Sequence, residues 1–334
     1  MTALQSTLMP VPEPVLSVDL QGVTLSVVVE TINAREEPNG SLADDLRATF
    51  DGLAQQTVAP DEVIIVIDDL VDPAAADELR HRYPYAKLTT SGRSNYFAAK
   101  NAGAEAASGE IVAMLDSDCV PAADWIEMLL ARFSPGVDGV AGRSRYPTGS
   151  LLARTFSVPD LGYVVERNDG TASIMNLSNV AFRRDVLLQH PLDSRIRRHG
   201  GGYFLLHQLR AAGARIVYEA RARVWHGFPG GVGIITKHFI RGHDGVGIFR
   251  LDHHCILRGT RVFRRFGAIA LVGITGRRIV LDWLLLTRQY RQIGIPAFSV
   301  PYWCAITVGT RLIELVGGLV AIAAPGHNTG TAEP

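Results

Sequence analysis

Ile111-Val112-Ala113-Met114-Leu115-Asp116-Ser117-Asp118 decides how this chain is read. Five apolar residues in a row make a strand covered on both faces, the pattern of a parallel sheet sandwiched by helices. Two carboxylates, two positions apart, end it. A buried strand that finishes on acids calls for a cation to meet them. A divalent metal carrying a diphosphate is the economical candidate, because hard cations prefer carboxylate oxygens and bridge readily to phosphate. A solvated Asp-Ser-Asp turn would look the same in isolation, but the arrangement recurs. Leu25–Val29 runs into Glu30-Thr31-Ile32-Asn33, and Val63–Ile67 runs into Asp68-Asp69. The strands of an open parallel sheet share one carboxyl edge, where ligands bind in the crevice. Three acidic tips on one edge read as a site.

Between these strands the apolar period changes to that of a helix. Ser41-Leu42-Ala43-Asp44 opens one, and Leu42, Leu46, Phe50 and Leu53 carry it forward at helical spacing. Further helices are predicted over Pro73–Arg82, Asn95–Ala107 and Pro121–Arg132, the last with proline in its first turn. Ala86–Thr89 is a third strand. The alternation predicts an α/β fold, with a Rossmann-like, mainly parallel central sheet flanked by helices and followed by C-terminal apolar helices. The expected divisions are a loose tail over 1–22, a sheet domain over 23–228, a helical region over 229–326 and a second tail over 327–334.

The 334 residues are 47% hydrophobic and 20% charged, enough for a sizeable core in one or two domains. Net charge is zero but unevenly placed. Between His253 and Gln292 eight arginines stand against one acid, Asp282, so the first 252 residues carry a negative balance, which argues against nucleic acid as a partner. Three widely spaced cysteines give neither a disulfide framework nor a zinc pattern. The first residues lack a basic-then-apolar signal pattern.

The ordered series of motifs from Val23 to Gly227 resembles a family-2 glycosyltransferase of the GT-A fold. The matching pieces are Ser26–Asn33, Gln55-Gln56-Thr57 with Glu62–Asp69, Lys100-Asn101-Ala102-Gly103, Ser108-Gly109-Glu110, Asp116-Ser117-Asp118, Leu177–Arg184, Gly213–Tyr218 and Val224-Trp225-His226. The resemblance implies a nucleotide-diphospho-sugar donor and a divalent cation, Mn²⁺ or Mg²⁺, held by Asp118, Asp116 and His226, the imidazole suiting manganese. It places Asp69 at the nucleobase and Glu30, Thr31 and Asn33 in the nucleotide loop, with Asp116 at the metal or the ribose. Arg93, Lys100 and Asn101 complete the donor set, Arg93 and Lys100 as phosphate contacts or as ordinary surface cations. Thr31 and Asn33 serve equally as capping residues.

Two departures stand out. The family's proline and aromatic are Glu30 and Ile32 here, so base stacking must come from elsewhere, and Glu30 offers hydrogen bonds to ribose or base instead. Gly201-Gly202 falls where relatives carry the Glu-Asp pair that supplies a general base. Replacement bases considered are Glu166, Asp169, Asp193 and His199. Asp193 matches a structural aspartate of the family and is set aside, leaving His199, beside the glycines, and Glu166.

Beyond Gly227 the composition shifts. Phe266–Gly276 and Ile293–Thr310 are charge-free, and Arg311 and Glu314 stand three apart, ready to pair on a helix face. His238, His243, His253 and His254 lack paired-ligand spacing and read as loop or interface histidines. Arginines beside long apolar runs suit a membrane surface; a helical lid or a homodimer interface is the competing account. The expectation is single-sugar transfer, metal-dependent and inverting, to a lipid-linked or cell-surface glycan acceptor at the cytoplasmic membrane face. The alternative is a non-catalytic protein that binds the nucleotide-sugar or acts as a scaffold.

Overall fold

A computed structural model describes residues 22–36, 40–147 and 149–324; the expected tails, Gly22 apart, lie outside the described residues. The chain alternates strand and helix through β1 (Leu25–Glu30), α1 (Ile32–Glu36), α2 (Leu42–Asp45), α3 (Arg47–Ala54), β2 (Glu62–Ile67), α4 (Pro73–Arg82), β3 (Lys87–Thr90), α5 (Tyr96–Ala106) and β4 (Ile111–Asp116). It continues through β5 (Cys119–Pro121), α6 (Trp125–Leu130), β6 (Gly139–Arg145), α7 (Leu151–Phe156), β7 (Asn179–Arg183), α8 (Arg184–Gln189), α9 (Gly201–Ala211) and β8 (Ile216–His226). Helices α10 (Gly230–Leu251), α11 (Arg258–Phe266), α12 (Ala268–Gln289) and α13 (Val300–Ala323) follow.

The eight strands form one sheet in the order β3-β2-β1-β4-β7-β6-β8-β5. The first four are mutually parallel. β7 enters antiparallel between β4 and β6, β8 runs parallel to β6, and β5 closes the edge antiparallel to β8. Every residue of β1 and β4 is buried, as their mostly apolar runs require. Successive side chains point to opposite faces. Val28 joins Ile64, Met114 and the α5 and α9 side chains in one core; Val27 and Val29 join Phe50, Trp125 and Leu129 in the other.

Local signals fix the helix starts. Asn95 accepts from the Phe97 and Ala98 amides, and Asp72 from that of Ala74, with Pro73 behind it. The helix expected from Leu42 is two pieces that meet at Leu46. The helix expected from Pro121 begins only at Trp125, because residues 119–121 pair with β8.

The C-terminal helices are bound to the sheet domain by buried charges. Asp160, in a π-turn over Ser157–Leu161, contacts Arg241 at 2.7 Å and Lys237 at 3.1 Å. Arg311 reaches Asp282 at 2.7 Å and Glu314 at 2.6 Å, and Glu314 also meets Arg278 at 2.7 Å. His238 is no loop histidine: it is buried inside α10, 2.8 Å from Glu314. Where α10 crosses α13 the backbones touch. A Cβ on Gly242 would lie 1.8 Å from the Glu314 carbonyl oxygen, and one on Gly317 would lie 2.1 Å from that of Phe239. Among the described residues one helix, Ala297–Ala323, is long and apolar enough to cross a membrane.

Candidate active site

Parallel pairing sets Glu30 of β1 directly opposite Asp116 of β4. Two adjacent buried carboxylates repel, and Lys100 of α5, itself wholly buried, answers them from 2.7 Å at Asp116. Tyr96 donates to the same carboxylate at 2.8 Å. Burial works against Asp116 ionising, but Lys100 and then His226 hold it well below the usual carboxylate range. Glu30 goes the other way: burial first, and Asp116 second, push it up to about 7.

Two residues beyond Asp116, Asp118 faces His226 at the end of β8. The imidazole Nδ1 is 3.1 Å from Asp118 Oδ2, and Nε2 is 3.7 Å from Asp116 Oδ2. Burial opposes a charge on His226; Asp118 and Asp116 outweigh it and push the ring up to about 10. Asn33 ties the acids together, donating to Asp116 and Asp118 at 3.2 Å each, while its own oxygen accepts from Arg198 at 2.5 Å. Ser117, between the acids, accepts from the Ala34 amide with its hydroxyl and from Thr49 with its carbonyl.

Ligand atoms of Asp116, Asp118, Cys119 and His226 all lie within 4.8 Å of one another. Two carboxylates and an imidazole suit a hard or borderline divalent cation. A protonated His226 meets the same demand for positive charge. Burial pushes the Cys119 thiol well up, so it stays protonated and is the weakest donor of the four. The residues therefore fit a divalent cation. From this cluster a cavity of about 1290 Å³ runs past Asp160, Lys237 and Arg241 to Phe266, Ile269 and Arg277 on α11 and α12.

The sheet order with these acids at its carboxyl edge is the GT-A plan, and residues 26–186 match the sequence profile of glycosyl transferase family 2. This stretch of the chain is homologous to family-2 glycosyltransferases. A glucosyl-dolichyl phosphate glucuronosyltransferase of Haloferax volcanii is 26% identical over 196 residues, 53% of this chain and 63% of that protein. Glycosyltransferase AglE of the same organism is 27% identical over 153 residues, 43% of this chain and 50% of its own length. The chain thus spans less than two thirds of either relative. In fold it is similar to the mannosyltransferase PcManGT of Pyrobaculum calidifontis, solved with GDP-Man and Mn²⁺, at a TM-score of 0.56 and 16% identity, covering 89% of this chain and 87% of that one. It is also similar to GalNAc-T7, solved with UDP, GalNAc and Mn²⁺, at a TM-score of 0.52 and 14% identity, covering 73% and 50%.

Within this family-2 frame the expected donor residues separate. Asn33, Asp116, Asp118 and His226 line the cavity together. Glu30 is buried and off the cavity wall: its Oε2 caps α1, accepting from the Ile32 amide at 2.7 Å and the Asn33 amide at 3.3 Å. Thr31 is buried and donates to the Val66 carbonyl, fastening β1 to β2. Lys100 is neither a surface lysine nor on the cavity wall; it is the counter-charge of Asp116. Asn101 has both ends of its amide on the Leu192 backbone, so its task is to hold that loop. Asp69 is exposed at the tip of β2, accepting from Thr90, while its neighbour Asp68 is paired with Arg35 at 2.9 Å. Arg93 is exposed beyond β3, off the cavity.

Of the base candidates, Glu166 lies exposed at an isolated β-bridge with Ala172, off the cavity wall, Asp169 caps Thr171, and Asp193 is bound to Arg195. His199 does line the cavity; burial and the cations Arg241, Lys237 and Arg198 hold it well below its usual range, neutral. Gly201 starts α9 against the Phe97 ring, where a Cβ would meet carbon at 2.4 Å. Arg198, Tyr96, Asp160, Lys237 and Arg241 are cavity residues that the sequence did not announce. Arg198 followed the structural Asp193 closely, but nothing in its spacing pointed across 165 residues to Asn33.

Proposed function

We propose that this protein is a glycosyltransferase that moves one sugar from a nucleotide-diphospho-sugar to a lipid-linked or cell-surface glycan acceptor, with inversion and a divalent cation. The observation that carries the reading is the convergence of Asp116, Asp118, His226 and Asn33 at one end of a large cavity on the carboxyl edge of a GT-A sheet. A cation held by Asp118, Asp116 and His226 would neutralise the charge that grows on the departing diphosphate. Lys100 keeps Asp116 ionised for that task, and Tyr96 fixes its orientation. Arg198, against Asn33 and 3.0 Å from Glu36, adds a positive charge on the same side of the cavity.

Residues 23–228 would be the donor-binding domain and 229–326 a membrane-associated region. Ile269, 77% exposed, stands with Phe266 and Val272 beside the arginines of α11, a surface suited to anionic headgroups at the cytoplasmic face of a membrane. A relative named for glucosyl-dolichyl phosphate supports a lipid-linked acceptor. The test is release of nucleoside diphosphate with Mn²⁺, lost in Asp118→Ala. A screen of nucleotide-sugars for raised unfolding temperature identifies the donor. Gly201-Gly202 favours a second reading, a donor-binding protein without transfer, which would show donor stabilisation and no glycosylated product from any acceptor.

A further inference from the structure

The cavity is electrically divided. Its acids gather at the sheet end, around the Asp116–Asp118–His226 cluster, with Glu36 and Asp45 nearby. Its helical wall is cationic: Lys237 and Arg241 meet Asp160 at 3.1 and 2.7 Å, Arg241 also meets Glu314 at 3.6 Å, and the buried network they share with Arg278, Arg311 and Asp282 sets four cations against three carboxylates. Arg277 and Arg258 line the outer part of the same wall, and neither forms an ion pair among the described residues. Beyond them the rim is apolar and open: Phe266 is 52% and Ile269 77% exposed, and Gly273 leaves the groove between them unfilled. A cationic wall that leads to an apolar rim complements a molecule with an anionic head and a hydrocarbon tail.

Among the described residues the cavity wall also offers no unpaired carboxylate to take a proton. Asp116 and Asp118 belong to the cation cluster, Glu36 is paired with Arg198, Asp160 is held by two cations and Tyr146, and Asp45 has a partner of its own. His199 is a weak base in its cationic surroundings. The wall at the start of α9 is glycine, and at Gly201 the Phe97 ring fills the space a side chain would need. An alcohol acceptor would have to lose a proton here with nothing placed to take it.

Resting on the glycosyltransferase reading, we infer that the acceptor is a lipid phosphate monoester, whose phosphate oxygen is the nucleophile. Such an oxygen arrives already ionised near neutral pH. It attacks the anomeric carbon, forming a C–O bond to phosphorus-bound oxygen. The bond from that carbon to the diphosphate breaks, and the nucleoside diphosphate leaves with the electron pair. No proton moves. The product is a glycosyl phosphodiester of the lipid. Lys237, Arg241 and Arg277 receive the phosphate, and the Phe266–Ile269 rim takes the start of the tail.

The experiment uses the full chain in detergent micelles with Mn²⁺ and a nucleotide-sugar shown to bind. Polyprenyl monophosphate, the matching free polyprenol and inorganic phosphate are offered side by side. The expected product forms with polyprenyl monophosphate alone and is cleaved by mild acid to free sugar and lipid phosphate. Arg277→Gln, at an exposed position, raises the KM for the lipid phosphate about tenfold with the donor KM unchanged. Direct binding of polyprenyl monophosphate without donor or metal weakens by the same factor. His199→Gln leaves transfer to the phosphate within about twofold of the parent protein. Transfer to polyprenol, equal use of inorganic phosphate, or loss of transfer in His199→Gln would each overturn the proposal. So would bound donor without any transfer to the monophosphate. Failure of every nucleotide-sugar to bind would instead remove the glycosyltransferase reading beneath it.

Discussion

Two buried charge clusters stand within one cavity's length of each other, and they are balanced oppositely. At the sheet edge three carboxylates, Glu30, Asp116 and Asp118, meet Lys100 and a histidine. Under the helices three carboxylates, Asp160, Asp282 and Glu314, meet four cations, Lys237, Arg241, Arg278 and Arg311, as well as His238. The first is short of positive charge and open to solvent space; the second has an excess and joins separate elements. Removing one partner from a saturated buried pair strands its mate, whereas an acid beside other acids carries a repulsion that offsets part of its pairing. The same residue types thus line a cavity in one place and hold helices together in the other.

That contrast breaks most sharply at Asp118. Asp118→Ala should cut donor turnover by about 100-fold or more, since the neutralisation of the leaving group is worth several kcal/mol. Its unfolding temperature should fall less than that of Asp160→Asn, because Asp118 is a third exposed where Asp160 is fully buried. A fall as large as that of a network variant would erase the distinction drawn here. Asp160→Asn should do the reverse to stability, costing about 3–5 kcal/mol in urea unfolding at pH 7. Lys237, Arg241 and His238 outweigh burial and depress the Asp160 carboxyl well below its ordinary 3.8. The stabilisation is therefore complete above pH 3.8 and lost as pH falls through the lower folded value. The gap between variant and parent should stay constant from about pH 5 to 8 and close only in stronger acid.

Two smaller effects sharpen the boundary between cluster and scaffold. Gly201→Ala drives a methyl into the Phe97 ring and should cost about 1–3 kcal/mol, with part returned in a Gly201→Ala, Phe97→Leu double variant. Asn95→Ala, outside both clusters, removes the α5 cap and should cost about 1 kcal/mol by thermal unfolding while leaving the affinity for Mn²⁺ unchanged.

How much of this was legible in the sequence follows from how local each signal is. β2 and β4 show as unbroken apolar runs, and β1 as one broken only by Ser26, because both their faces are covered, and Asp116 and Asp118 stand out because acids end such a run. β5 does not show, since three residues paired on one edge carry no period of their own. The position of β7 between β4 and β6 is likewise set by pairing and not by composition. Lys100 in an alanine-rich helix looks like a surface residue; only the Asp116 carboxylate, reached through the fold, explains its burial. Asp160 and Arg241 are 81 residues apart and lie in segments with no acid–base pattern linking them. Glu30 shows the converse: the contacts its Oε2 makes are local, two and three residues ahead on α1, whereas an acid at a strand tip reads in the sequence as a ligand contact.

The bare crossing of α10 and α13 has a mechanical consequence. With glycine at 242 and 317, each helix lodges against the other's carbonyls with no side chain between to act as a cushion. Packed helices of this kind change register in jumps of a whole turn, about 5.4 Å, and not by gradual sliding. The α10 wall of the cavity, which carries Lys237 and Arg241, therefore rests against a hard stop set when the chain folds.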